Sequence, residues 1–376
     1  MRFTTSSFLA LAAAVAPLTV SAAPLRRGTD PNTLLVLQFA HVLEQLETQF
    51  YQQALSKFQA SDFTNAGFSS ANIPIEQFTA IQSDEAAHVS ALESIITSFG
   101  EKPLSTCKFD FSKVLTDVST MAPVARLVEN VGVGAYLGAA HLIQDPVVLT
   151  AAASIATIEA RHQTILNVLQ SGTAIPQAFD IPLLPQEVLA IAGPFISGCD
   201  LGVPANAALS VTNTGSIGVG TSLTFSSPAI NGSTTNFHCQ MLAGGLPASI
   251  SLPIDKCVVP SGINGPVAIW VTSDDQPLNN NARDRGSNAI VAGPLMTFID
   301  VKTDAIASLV HGNNSDTPEA SSILSALSSS GTSTPDGGNN NSAPTSTPAP
   351  PASSSGNGVV VKGLSMVPFP LSTPRA

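Results

Sequence analysis

The chain is 376 residues long, 44% hydrophobic but only 11% charged, with a net charge of −11 at pH 7. Ordinary soluble chains carry about 25% charged residues, so a mean hydropathy of +0.27 first suggests a membrane protein. Few Lys and Arg in an acidic chain argue against nucleic acid as a partner, since that polyanion is met by clustered cations.

The one hydrophobic block at a terminus, residues 8–20, is shorter than the ~20 residues a spanning helix needs. It follows Arg2, contains Pro17 and ends in Val20-Ser21-Ala22-Ala23. That is the pattern of a secretory signal peptide over residues 1–22, and Arg26-Arg27 beyond it is a candidate dibasic processing site. Gln, His, Glu or Pro interrupts every later apolar run. No membrane span is therefore predicted, and the chain is expected to be soluble and secreted, extracellular or in a cell wall.

Residues 30–172 read as helical. Asp30-Pro31 and Asp145-Pro146 each place an N-cap residue before a proline at the first helical position. Pro74 and Pro123 mark two further helix starts. Apolar periodicity between these points predicts helices over 31–59, 74–99, 122–143 and 146–171, lengths that suit a four-helix bundle. The connection between the second and third is long, and that between the third and fourth is only Gln144-Asp145.

Residues 173–200 are rich in proline and read as an ordered linker packed on the bundle. From 201 to 302 short β-rich runs (208–211, 222–225, 268–272, 296–301) alternate with Gly, Asn and Pro clusters, which predicts a small antiparallel β domain. Residues 312–376 begin with a Ser/Thr/Pro-rich, low-complexity stretch, expected to be a disordered and O-glycosylated stalk. The terminus lacks the continuous hydrophobic tail of a lipid-anchor signal. Cys107, Cys199, Cys239 and Cys257 are the four cysteines. Of the three pairings they permit, locality favours Cys239–Cys257, which leaves Cys107–Cys199 to staple bundle to linker. Asn231, Asn313 and Asn340 each open an Asn-x-Ser/Thr sequon, as in a surface glycoprotein. Asp274-Asp275 with residues 279–281 could hold calcium, although an ordinary turn is the simpler reading.

The chemistry lies in the helical region and appears twice. Glu85-Ala86-Ala87-His88 and Glu159-Ala160-Arg161-His162 are both Glu-x-x-His, which puts carboxylate and imidazole on one helix face a turn apart. The first and third helices each carry a Glu followed seven residues later by a Tyr, Glu44 with Tyr51 and Glu129 with Tyr136, and these are the only tyrosines. Seven residues are nearly two turns, so each Tyr is expected above its own Glu. In the second helix Ile81, Glu85, His88, Leu92, Ile95 and Phe99 form one stripe. In the fourth, Val148, Ala152, Ile155, Glu159, His162, Leu166 and Leu169 form another. Both stripes have core register. Buried carboxylates cost several kcal/mol unless paired or metal-bound, and two divalent or trivalent cations would compensate this set. Glu47 competes with Glu44 but lacks its spacing to tyrosine. His41 and His141 read as ordinary helix histidines. Asp84, Glu76 and Glu93 read as solvated helix-face charges, while Gly132, Gly134 and Gly138 suggest a close helix contact or a substrate channel.

One Glu from each of two helices and Glu-x-x-His from each of the other two is the pattern of di-iron and di-manganese carboxylate bundles. Here the sequence resembles the ferritin-like superfamily and, more narrowly, the secreted fungal ferritin-like stress-response (desiccation-related) family. Residues 43–51 and 84–88 carry most of the likeness, and 273–278 and 291–294 add to it. The resemblance implies an α+β multi-domain fold, with a ferritin-like four-helix bundle followed by the small β domain and the tail. It implies Glu44 and Glu129 as terminal ligands, Glu85 and Glu159 as bridging carboxylates, and His88 and His162 one on each of two iron or manganese ions. Tyr51, Tyr136 and Glu47 would stand behind these ligands. Two functions are compatible with this set. One is a dimetal site for oxygen or peroxide chemistry or metal handling; the other is a non-catalytic extracellular scaffold with cell-wall components as partners. A trailing domain and tail argue against a closed storage shell.

Overall fold

A computed structural model describes residues 30–301 and 303–311; the expected signal peptide (1–22), Arg26-Arg27, the expected tail from 312, Asn313 and Asn340 lie outside the described residues. Four long helices form the bundle: α1 (Pro31–Lys57), α3 (Asn72–Ser98), α4 (Val118–Ala139) and α5 (Pro146–Leu169), with a short α2 (Ala60–Asn65) turning the first hairpin. Asp30 accepts from the Thr33 amide at 2.9 Å and Asp145 from the Val147 amide at 2.8 Å, so both expected caps form. The other two helices begin earlier than their prolines suggested. Asp117 caps α4 by accepting from the Thr120 amide at 2.8 Å, which leaves Pro123 inside the helix. A proline two turns in forfeits one backbone hydrogen bond, and the buried face of α4 outweighs that loss. Ile96, fully buried, replaces the expected Ile95 in the core stripe of α3.

The crossover from α3 to α4 carries β1 (Lys108–Phe109), which pairs antiparallel with β2 (Ile196–Ser197). The Cys107–Cys199 disulfide closes the same junction. Before β2, α6 (Pro185–Ala192) lies within the proline-rich segment, where eight residues between prolines had left no helical period to read. The segment is held tightly against α4. The Leu183 amide donates to the Gly134 carbonyl at 2.8 Å, and a Cβ on Gly138 would stand 1.8 Å from the Leu183 carbonyl oxygen. Backbone thus fills the space over Gly134 and Gly138, so these glycines serve a close chain contact and not a channel.

After β3 (Ser210–Val211) and β4 (Phe225–Ser226), the chain forms a four-stranded antiparallel sheet. It is built from β5 (His238–Ala243), β6 (Ile250–Pro253), β7 (Gly265–Thr272) and β8 (Ile290–Ile299), in the order β6-β5-β7-β8. The pleat divides β7 cleanly. Val267, Ile269 and Val271 join one apolar cluster with the Cys239–Cys257 disulfide, while Ala268 and Trp270 join the core of the bundle. Both faces are therefore covered, which is why β5 shows a run of buried residues without the alternation expected of a half-exposed strand. A last helix, α7 (Ala305–Val310), returns to α5. Among the described residues no helix is long and apolar enough to cross a membrane.

Candidate metal centre

The bundle brings all six sequence-predicted ligands together. Glu44, Glu85, Glu129 and Glu159 are buried to 1% exposure or less, with His88 at 9% and His162 at 5%. Their donor atoms form two overlapping groups, Glu44–Glu85–His88–Glu159 and Glu85–Glu129–Glu159–His162, each with all atoms within 4.8 Å of one another. Glu85 and Glu159 belong to both. The Glu-x-x-His spacing explains this: each bridging position and its histidine share a face, and α3 and α5 present those faces to each other with the imidazole centroids 6.4 Å apart.

Hydrogen bonding alone does not satisfy this cluster. His88 Nδ1 faces Glu44 Oε2 and Glu85 Oε2, both at 3.1 Å, and Glu159 Oε1 at 3.6 Å, yet one ring nitrogen carries at most one proton. His162 Nδ1 bonds Glu129 Oε2 at 3.1 Å and lies 2.9 Å from Glu85 Oε1 in a direction unsuited to a second bond. Glu129 Oε1 and both Glu159 oxygens are buried and meet no donor from any other kind of residue; only a proton shared between the carboxyls joins Glu159 to Glu129. Among the described residues the Arg and Lys ion pairs are elsewhere, at Arg126–Asp300 and Arg285–Glu187.

Buried carboxylates without a counter-cation keep their protons, and the pocket behaves so. Burial, then the charge of Glu159, pushes the Glu85 carboxyl well above the usual range. Burial, then Glu47, does the same to Glu159, and burial, then Glu129, to Glu47. Burial also acts to raise Glu44, but His88 and the proton-bearing Glu85 beside it outweigh burial and hold it low. For His162 burial acts downward, and Glu129 with Asp84 reverses it, leaving the imidazole raised. Two divalent cations would supply four positive charges against the four ligand carboxylates. Donors at mutual separations below 4.8 Å are close enough to converge on ions that hold O and N at about 2.0–2.2 Å. The residues therefore fit a metal pair, with Glu44 and His88 on one ion, Glu129 and His162 on the other, and Glu85 and Glu159 between.

The groups behind the ligands differ from expectation. Seven residues span about 10.5 Å of helix, so a tyrosine cannot reach its own glutamate; Tyr136 instead donates to Glu44 Oε1 of the other hairpin. Tyr51 is buried with its hydroxyl unbonded, and after burial Glu129 acts on it most strongly, raising the phenol. Glu47 is buried beside the pocket but belongs to neither donor group. Gly132 makes room there, because a Cβ at that position would stand 2.7 Å from Glu159 Oε2 and 3.1 Å from Glu47 Oε1. Asp84 is half-exposed, as a helix-face charge should be, yet its Oδ2 lies 3.2 Å from His162 Nε2. The available signal was the acid immediately before Glu85. His41 is fully buried and faces Glu93 and Gln45, each at 3.3 Å, while His141 is exposed. Asp274 and Asp275 close a turn on Gln276 and join no donor group among the described residues. Asn231 is exposed in the loop before β5.

Residues 32–171 match the family model of the ferritin-like domain, so α1 to α5 form a ferritin-like domain carrying a carboxylate and histidine cluster compatible with two metal ions. No curated protein matches the chain.

Proposed function

We propose that this ferritin-like chain is an exported stress-response glycoprotein of the secreted fungal kind, whose bundle holds two iron or manganese ions for oxygen or peroxide chemistry or for metal handling. The observation that carries this reading is the set of buried carboxylate oxygens left without partners around two imidazoles. Such oxygens are costly unless a cation meets them. Carboxylate and imidazole donors suit both iron and manganese. Such a pair, when bound, supplies redox exchange with oxygen or peroxide. Export is supported by the signal pattern at residues 1–22 and by two disulfides, which persist in oxidising compartments. The stalk and sequons suit a cell-wall or extracellular setting.

The chain's own groups prepare the pocket for that work. Leu37, Leu92, Ile96, Val148 and Ile155 form an apolar cluster at one end, which keeps bulk water from that side. Tyr136 holds a proton at Glu44 Oε1. Glu85 and Glu159 face both imidazoles and are placed to bridge. His88 is the most exposed of the six ligands.

Elemental analysis of the full-length protein, secreted from a host replete in iron and manganese, tests the reading. About two ions per chain are expected, and Glu85→Ala with His88→Ala should lose them. A wild-type protein that emerges without metal and takes none up on reconstitution overturns the proposal.

A further inference from the structure

The two helical hairpins are repeats that can be compared position by position. Glu129 and Tyr136 follow Glu44 and Tyr51 at an offset of 85 residues, and Glu159 and His162 follow Glu85 and His88 at an offset of 74. The six ligands obey this twofold relation, but three of their neighbours break it, and the first break bears directly on the donor strength of one ligand.

The first break is Asp84, whose counterpart at the same offset is Ile158. Asp84 Oδ2 takes the Nε2 side of His162 at 3.2 Å while Nδ1 points at the ligand carboxylates. An imidazole that donates its outer N–H to a carboxylate presents its other nitrogen as a fixed, more basic donor, an effect worth about 10- to 100-fold in metal affinity. An aliphatic side chain at 158 offers His88 no such acceptor, and among the described residues the His88 hydrogen bonds all involve Nδ1.

The second is Glu47, whose counterpart is Gly132. The missing side chain at 132 is what admits Glu47 beside Glu159, one helical turn beyond Glu129. A fifth carboxyl group thus stands beside the bridging Glu159, and Gly132 provides no twin to face Glu85.

The third is the tyrosine bond. Tyr136 donates to Glu44 Oε1, which orients that carboxylate. Glu129 is the charge that acts most strongly on Tyr51, yet the Tyr51 hydroxyl has no partner in hydrogen-bond geometry, so the two tyrosine–glutamate pairs are unequal.

We propose that the pocket consists of two unequal metal subsites. The subsite at Glu129 and His162 fills first and tightly, and the subsite at Glu44 and His88 fills second and exchanges readily. This rests on the dimetal reading above, but goes beyond it by giving the chain an ordered filling and a stable one-metal state.

The test is a titration of Mn²⁺ into the full-length protein after chelation, followed by calorimetry and by electron paramagnetic resonance. Two binding phases separated by at least about 10-fold in Kd are expected. The first equivalent should give the signal of an isolated Mn²⁺ ion, replaced by that of a coupled pair as the second binds. His88→Ala should keep the tight phase and lose the weak one. Asp84→Ala, at a half-exposed position that tolerates truncation, should weaken the tight phase about 10-fold or more and merge the two. A wild-type titration with two equal sites, or an Asp84→Ala protein with an unchanged tight phase, overturns the inequality and leaves the dimetal reading standing. Absence of binding in the wild type overturns both.

Discussion

At the junction of bundle and sheet, Arg285 donates to Glu187 at 2.5 Å with both side chains fully buried. It adds bonds to the carbonyls of Asn279, Pro182 and Asn280. Nearby, Arg126 meets Asp300 with two hydrogen bonds of 2.7 and 2.8 Å and gives its Nε to Asn167 at 2.7 Å. Inside the bundle, by contrast, Glu44, Glu47, Glu85, Glu129 and Glu159 are buried without an Arg or Lys partner among the described residues. Both regions bury carboxylates, but among the described residues only the first supplies its own Arg partners. The difference separates a structural joint from a candidate binding site. A carboxylate answered within the chain holds elements together, whereas one left unanswered fits a cation from outside.

Substitutions should separate the two regions, the largest effect falling at the joint. Arg285→Ala strands Glu187 in the interior and should cost about 3–5 kcal/mol in denaturant unfolding. The loss should be equal with and without metal, and a loss that metal restores would erase the distinction. Asp300→Ala leaves the buried Arg126 without its carboxylate, but Asp300 is itself partly exposed, so a smaller cost of about 1–3 kcal/mol is expected in the same assay.

The pocket should give the smallest effect and one of opposite sense. Glu47, Glu85 and Glu159 are raised in the fold, so above their ordinary value of 4.5 the folded chain holds protons that the unfolded chain has released. Stability must then fall as pH rises through the folded values, and His162, also raised, adds to the same trend above 6.5. Only Glu44, held low, runs the other way and loses its contribution as pH drops below 4.5. Thermal melts of the metal-free protein should therefore decline from about pH 5 to about pH 8. Glu85→Gln should flatten that decline without destabilising the metal-free fold, and saturating metal should abolish it. A metal-free protein that gains stability over this range would contradict the buried protons.

Much of the site was legible because its spacing is helical. Glu-x-x-His at 85–88 and 159–162 fixes a shared face whatever surrounds it, and the match of Glu44 to Glu129 through their tyrosines pointed to Glu44, which joins a donor group where Glu47 does not. What those tyrosines touch was not legible, since Tyr136 reaches Glu44 across the bundle and no local period encodes that. Asp84 read as a surface charge because its exposure is real; only the position of His162, 78 residues away, gives it a partner. In the sheet, β5 escaped notice because buried Gln240 breaks its apolar run. Its amide is satisfied by Ser249, Ser251 and Thr272 from neighbouring segments. Glu187 and Arg285 lie 98 residues apart, and nothing near either in the chain announces the other.

The sequence by itself determined the four long helices, a small antiparallel β region after them, the two Glu-x-x-His faces and the twofold repeat that relates them, because each follows from periodicity or capping within a few turns of chain. The tertiary structure decided which faces meet. It placed Leu183 over Gly134 and Gly138, put Glu47 into the space left by Gly132 and assigned Asp84 to His162. These contacts join residues far apart in the chain, and packing, not local preference, selects them.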